Sequence, residues 1–157
     1  MKKLAFLLVI LVFLVACSSE VAIGDIPAYP DATVLEPGSD PVADTLVDNM
    51  VQDAQIRNSA GVGGKIEQMA YRLPEGTSWD DIESFYNDEL GGEGWESGLG
   101  GIAGDIAGDV MSSVNEGNDL FQTAIWSQGK QTLTLIRVAE DATADGDFLL
   151  IMSLATN

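Results

Sequence analysis

The chain has 157 residues, 25 of them acidic and 7 basic, a formal net charge of −18 and no histidine. Such a charge repels phosphate backbones and anionic headgroups, which excludes nucleic acid as a partner. Without histidine the commonest general base, the commonest transition-metal ligand and the Ser-His-Asp triad are all missing, which leaves carboxylates, Lys65, Lys130, the tyrosines or a hard metal held by oxygen for any catalysis.

The chain opens Met1-Lys2-Lys3 and continues with thirteen apolar residues, "LAFLLVILVFLVA", from Leu4 to Ala16. A helix crossing the hydrocarbon core needs about 20 residues. The shorter run fits the apolar region of a secretory leader. It ends Leu14-Val15-Ala16-Cys17, and Cys17 is the only cysteine, so no disulfide forms within the chain. An ordinary signal peptide with Cys17 as a chance neighbour, or an uncleaved anchor, fits the same residues. The "L-V-A-C" motif resembles the lipobox of prokaryotic lipoproteins. That resemblance implies a diacylglyceryl group on the Cys17 sulfur, removal of a signal peptide spanning 1–16, and a palmitate-type acyl chain on the new amino terminus. It implies a lipid-anchored protein on the extracytoplasmic side of a cell membrane or outer membrane, with the membrane itself as a partner through Cys17. Ser18 resembles a residue permissive for sorting to an outer membrane. Two or more acyl chains give stable anchoring where one does not, at about 0.8 kcal/mol per buried methylene. Beyond Ala16, 5 basic residues face 25 acidic ones, a formal side-chain charge of −20.

Residues 17–24 read as a tether. In "DIPAYPDAT", Pro27 and Pro30 favour an extended path into a short strand over 32–35, closed by a turn at Pro37-Gly38. Asp40-Pro41 combines a capping acid with proline at the first helical position. Val42, Leu46, Val47, Met50, Val51 and Ala54 then recur at helical spacing and predict an amphipathic helix over 41–56. Lys65 to Leu73 reads as a strand. Ser78 and Asp81 form a capping box, and Trp79, Ile82, Phe85, Tyr86 and Leu90 make one stripe of a helix that Gly91-Gly92 stops. Trp95 starts a strand that dissolves into the glycine-rich stretch from Gly98 to Asn118. Two strands flank the tight turn "SQGK", and "DATADGD" is a second turn. Phe148 to Thr156 is a strand apolar on both faces. This order predicts an α+β fold with a single antiparallel sheet and helices packed on one face, in one domain over 25–157 with insertions at about 38–64 and 97–119.

Four fragments, "IPAYPDAT", "DDIESFYNDELGGEGW", "AIWSQGKQTLTLIRV" and "FLLIMSLAT", together are similar to a small domain found in many uncharacterised prokaryotic lipoproteins. The resemblance covers about a third of the chain beyond Ala16. It implies fold and location and brings no activity, cofactor or site residue. The two insertions depart from the shorter pattern.

Asp141, Asp145 and Asp147 crowd one turn and are candidate ligands for a weakly held Ca²⁺, which takes six to eight oxygens. The same turn reads first as a solvated hairpin, because the first spacing is four and Met152 stands where an EF-type loop has its closing glutamate. Gly100, Gly104 and Gly108 form a small-residue series that permits close helix approach, a candidate surface in 98–118 for a protein partner or a second copy. The aromatics read as core, or as the lining of a ligand pocket. These features predict a lipid-anchored extracytoplasmic binding or interaction module without catalytic activity. The alternative is an envelope enzyme using paired carboxylates with a divalent cation.

Overall fold

The computed structural model describes residues 20–59, 64–98, 112–141 and 146–157. The apolar run read as a leader, Cys17, Asp145 and most of the glycine-rich stretch lie outside the described residues. Among the described residues a 3-10 turn at Ile23–Asp25 comes first. After it come β1 (Thr33–Val34), α1 (Pro41–Ser59), β2 (Lys65–Arg72), α2 (Trp79–Gly91), β3 (Glu96–Ser97), β4 (Phe121–Gln128), β5 (Gln131–Ala139) and β6 (Phe148–Thr156). The strands form one antiparallel sheet in the order β1-β2-β6-β5-β4-β3, which bears out the α+β class with a single sheet. The two-residue turn joining β4 to β5 needs Gly129, which sits at φ +58°.

The helices do not share a face. Leu150, Met152 and Leu154 of β6 join Leu133 and Leu135 of β5 in a core with Ile82, Tyr86 and Leu90 of α2. The alternate residues, Leu149 and Ile151, pack with Ala70 against Ala43, Val42, Leu46, Val47 and Met50 of α1. Successive side chains of a strand point to opposite faces. α1 therefore covers one side of the sheet and α2 the other, and the expectation of helices on one face is corrected. The physical reason is β6 itself: a central strand with two apolar rows needs both of them covered. α1, within the segment read as an insertion over about 38–64, accordingly forms the second layer of the fold. α1 sits shallowly there, with Val51 38% and Ile56 67% exposed.

The domain also begins earlier than Asp25. The Val21 N–H donates to Gln131 Oε1 at 2.8 Å, Gln131 Nε2 donates to Val21 O at 2.8 Å, and Ile23 and Ile26 are buried in the α2-side core. Within the described residues the tether thus shortens to what precedes Val21. α2 starts as expected: Asp81 N–H donates to Ser78 Oγ at 3.1 Å, and Ser78 N–H donates back to Asp81 Oδ2 at 3.3 Å. No helix among the described residues is long and apolar enough to cross a membrane.

The aromatics lie in the core. Phe85 stands edge-on to Tyr29 at 5.4 Å and to Tyr86 at 5.0 Å, and Tyr86 tilts against Trp126 at 6.0 Å. All three tyrosines of the chain, Tyr29, Tyr71 and Tyr86, have their phenols pushed above the usual range, in each case chiefly by burial. A phenol that stays protonated when folded but ionises near pH 10 when unfolded makes the folded state the better proton binder above that pH. Stability is then full below about pH 10 and falls as pH rises through the unfolded value toward the folded one. Tyrosinate from the buried Tyr71 and Tyr86 is expected to appear only together with loss of near-ultraviolet circular dichroism, and Tyr86→Phe to move that alkaline transition upward. Tyrosinate appearing from Tyr86 in a protein that is still folded would contradict this burial.

Candidate functional site

The described residues hold one groove in which open backbone, apolar surface and charge come together, between α1 and the outer edge of β2. β2 pairs with β6 along its whole length, Lys65↔Thr156 to Arg72↔Leu149. On its other side it meets β1 only at Arg72 and Tyr71, and then Leu35 N–H donates to Ala70 O at 2.9 Å. β1 stops because Pro37 offers no N–H and Gly38, at φ +87°, turns the chain toward α1. Leu73 N–H donates to Phe148 O of β6, so the odd-numbered residues of β2 point their backbone groups at β6 and the even-numbered ones point outward. The N–H and C=O of Ile66 and Gln68 therefore face the open edge, and nothing among the described residues pairs with them. At the lower end Asn58 Nδ2 donates to Gly64 O at 3.4 Å. Gly64 must be glycine, because a Cβ there would overlap the carbonyl oxygen of Thr156.

Beside this edge lies a cavity of about 380 Å³. Its apolar surface comes from Val34, Leu35, Ala43, Val47, Met69 and Ala70, and its acids are Glu36, Asp44 and Asp48. Asp44 Oδ1 accepts from Gly38 N–H at 2.9 Å. Farther down the same helix and strand, a cavity of about 230 Å³ is lined by Asn49, Met50, Asp53, Ile66 and Ser153. Among the described residues, no basic side chain lines either cavity. Gln68 lines the larger one, and its Nε2 is buried without an acceptor. A buried donor left unpaired costs about 1–3 kcal/mol, which a turn of the Gln68 side chain toward an acceptor in the cavity would recover.

The far end of the groove is held by a charged corner. Asp40, 2% exposed, caps α1 by accepting from Val42 N–H at 2.9 Å and Ala43 N–H at 3.0 Å, and its other oxygen meets Arg72 Nη2 at 2.8 Å. Arg72 also bonds Glu140 and stands 3.6 Å from Asp147. Its pKa is raised, first by the hydrogen bond to Glu140. A second guanidinium, that of Arg137, is buried over the Phe148 ring at 3.3 Å and donates to Gln122 Oε1 at 2.7 Å and Thr77 O at 3.2 Å. Burial lowers its pKa, and its role is to tie β5 to neighbouring loops.

Of the three acids read as calcium ligands, Asp147 thus turns to Arg72, Asp141 is exposed on the turn, and Asp145 lies outside the described residues. No three metal-ligating side chains converge among the described residues. The groove was not anticipated. Its signals in the sequence were Pro37 closing β1 after two residues and the polar Gln68 interrupting the apolar row of β2. Neither family models nor curated proteins nor solved structures match this chain.

Proposed function

We propose that the protein is a lipid-anchored, extracytoplasmic binding module without catalytic activity of its own, which holds its partner in the groove between α1 and β2. The observation that carries the binding half is the uncovered strand edge lying beside an apolar cavity with an acidic rim. The "L-V-A-C" motif supports the anchor. The acids at the groove favour binding over paired-carboxylate catalysis, which needs two carboxyl groups sharing a water-poor centre: Asp48 is exposed and Asp44 is occupied with Gly38 N–H.

The anchor also orients the module. Cys17 lies four residues before Val21, a reach of at most about 14 Å. Val21 is clamped by Gln131, at the end of the sheet that carries Thr156 and Lys65. That end faces the membrane, with the exposed Lys130 toward the headgroups, and the Asp40–Arg72 corner points away. Labelling with radioactive palmitate in expressing cells tests this. The wild type is expected to carry label and to sediment with membranes, and Cys17→Ala to lose both. A labelled, membrane-bound Cys17→Ala protein would reject the anchor.

A further inference from the structure

Building on the groove as a binding surface, we infer that it accepts an extended peptide segment as a seventh strand on β2, with basic and apolar residues in alternation. Three observations lead there. The first is the contrast between the two edges of the sheet. At the opposite edge β4 is covered by β3, by Gly98 N–H donating to Ile125 O at 2.7 Å, and by Asn115, whose side chain donates to Thr123 O at 2.8 Å and accepts from Thr123 N–H at 2.9 Å. An uncovered edge is a template for strand addition, and folded proteins usually blunt it. Here Ile66 and Gln68 have no partner among the described residues over the interval from Gly64 to Ala70, about 20 Å and room for roughly six residues. The N–H and C=O groups of an added strand would supply the affinity, and its alternate side chains the selectivity.

The second observation is charge. A strand laid on β2 sends every other side chain toward α1, over Val47 and up to Asp44 and Asp48. Lysine or arginine suits that path, with its methylenes on the apolar floor and its charge at the carboxylates. The intervening side chains fall on the Met69 side, where an apolar residue fits. The third is Gln68, which lines the cavity and whose buried amide nitrogen has no acceptor among the described residues. A second copy of this chain is the poorer occupant, because pairing β2 with β2 would bring two identical acidic rims together within a protein of −18 formal charge.

The probe is a labelled eight-residue peptide alternating valine and lysine, titrated into the full chain at physiological ionic strength and followed by fluorescence anisotropy. Saturable one-to-one binding is expected. N-methylation of the peptide on its pairing side keeps the charge and removes the backbone donors, and is expected to weaken binding at least tenfold. A glycine-lysine peptide of equal charge and a valine-glutamate peptide are expected to bind at least tenfold more weakly. Gln68→Pro, which removes an outward N–H from an edge strand, and the double variant Asp44→Lys with Asp48→Lys are each expected to lose at least tenfold. The methylated peptide acts on the unaltered protein, so the test survives a variant that misfolds. Equal binding of the parent and methylated peptides would reduce the interaction to charge and overturn strand addition. So would no binding of any peptide, or a dimer in sedimentation that the peptide leaves intact. The palmitate experiment decides the anchored-module reading separately: a labelled protein that ignores every peptide keeps its anchor and loses this proposal.

Discussion

Asp40→Ala is expected to destabilise the protein by about 3 kcal/mol and to loosen α1 from the sheet. Asp40 does two things. Its Oδ1 satisfies two backbone N–H groups at the start of α1, a cap worth typically about 1 kcal/mol. Its Oδ2 pairs with Arg72 while itself 2% exposed. Removing one partner of a fully buried pair costs about 3–5 kcal/mol. The Arg72 side chain is 34% exposed and keeps Glu140 and Asp147, so solvent and the remaining acids reduce that figure. Asp40→Asn preserves the cap and removes only the charge, so it is expected to cost about half as much as alanine. Urea unfolding of the two variants measures the difference. Losses below about 0.5 kcal/mol for both would make the corner an ordinary surface ion pair. Hydrogen exchange adds a spatial readout: the amides of α1 are expected to lose protection before those of β5 and β6.

The Asp40 corner also shows where the sequence was readable and where it was not. Asp40-Pro41 identifies the helix start because a cap is made by neighbours in the chain. The ion pair across to Arg72 was hidden, since 25 acids compete for few bases and nothing local says which pair meets. The same excess leaves the "DATADGD" turn ambiguous. Its acids invite a cation, and the cation that arrives at Asp147 is a guanidinium from β2. Local signals elsewhere held: the Ser78–Asp81 capping box, the Gly129 turn and the apolar stripe of α2. Long-range pairing was out of reach. β6, last in the chain, inserts between β2 and β5, and no local pattern encodes that choice. The groove follows from it, because an open edge is the absence of a partner and so belongs to topology. The second layer is legible in the sequence. A strand apolar on both rows already requires two covered faces, and 41–56 was the amphipathic segment available for the second.

That two-faced core makes the other large expected effect. Ile151→Ala and Met152→Ala are each expected to cost about 2–5 kcal/mol, although the residues are adjacent and point in opposite directions. Both are 0% exposed. Met152 stands opposite Leu135, and its sulfur lies 3.7 Å from the Tyr86 hydroxyl of α2. Ile151 lies between Ala70 and Ile136 in the sheet and packs on the α1 side with Leu46 and Val47. Because Ile151 touches the shallower helix, neighbours there can collapse into the space it leaves, which puts its cost nearer 2 than 5 kcal/mol. Double-mutant cycles separate the faces. Ile151→Ala with Leu46→Ala is expected to show coupling of at least about 0.5 kcal/mol, whereas Ile151→Ala with Ile82→Ala is expected to be additive within about 0.3–0.5 kcal/mol. If Ile151→Ala stayed within about 0.5 kcal/mol of wild type, as a surface substitution does, α1 would not be covering that face. The groove would then lose its second wall, since Val47 and Asp44 reach β2 only because α1 is seated on Ile151 and its neighbours.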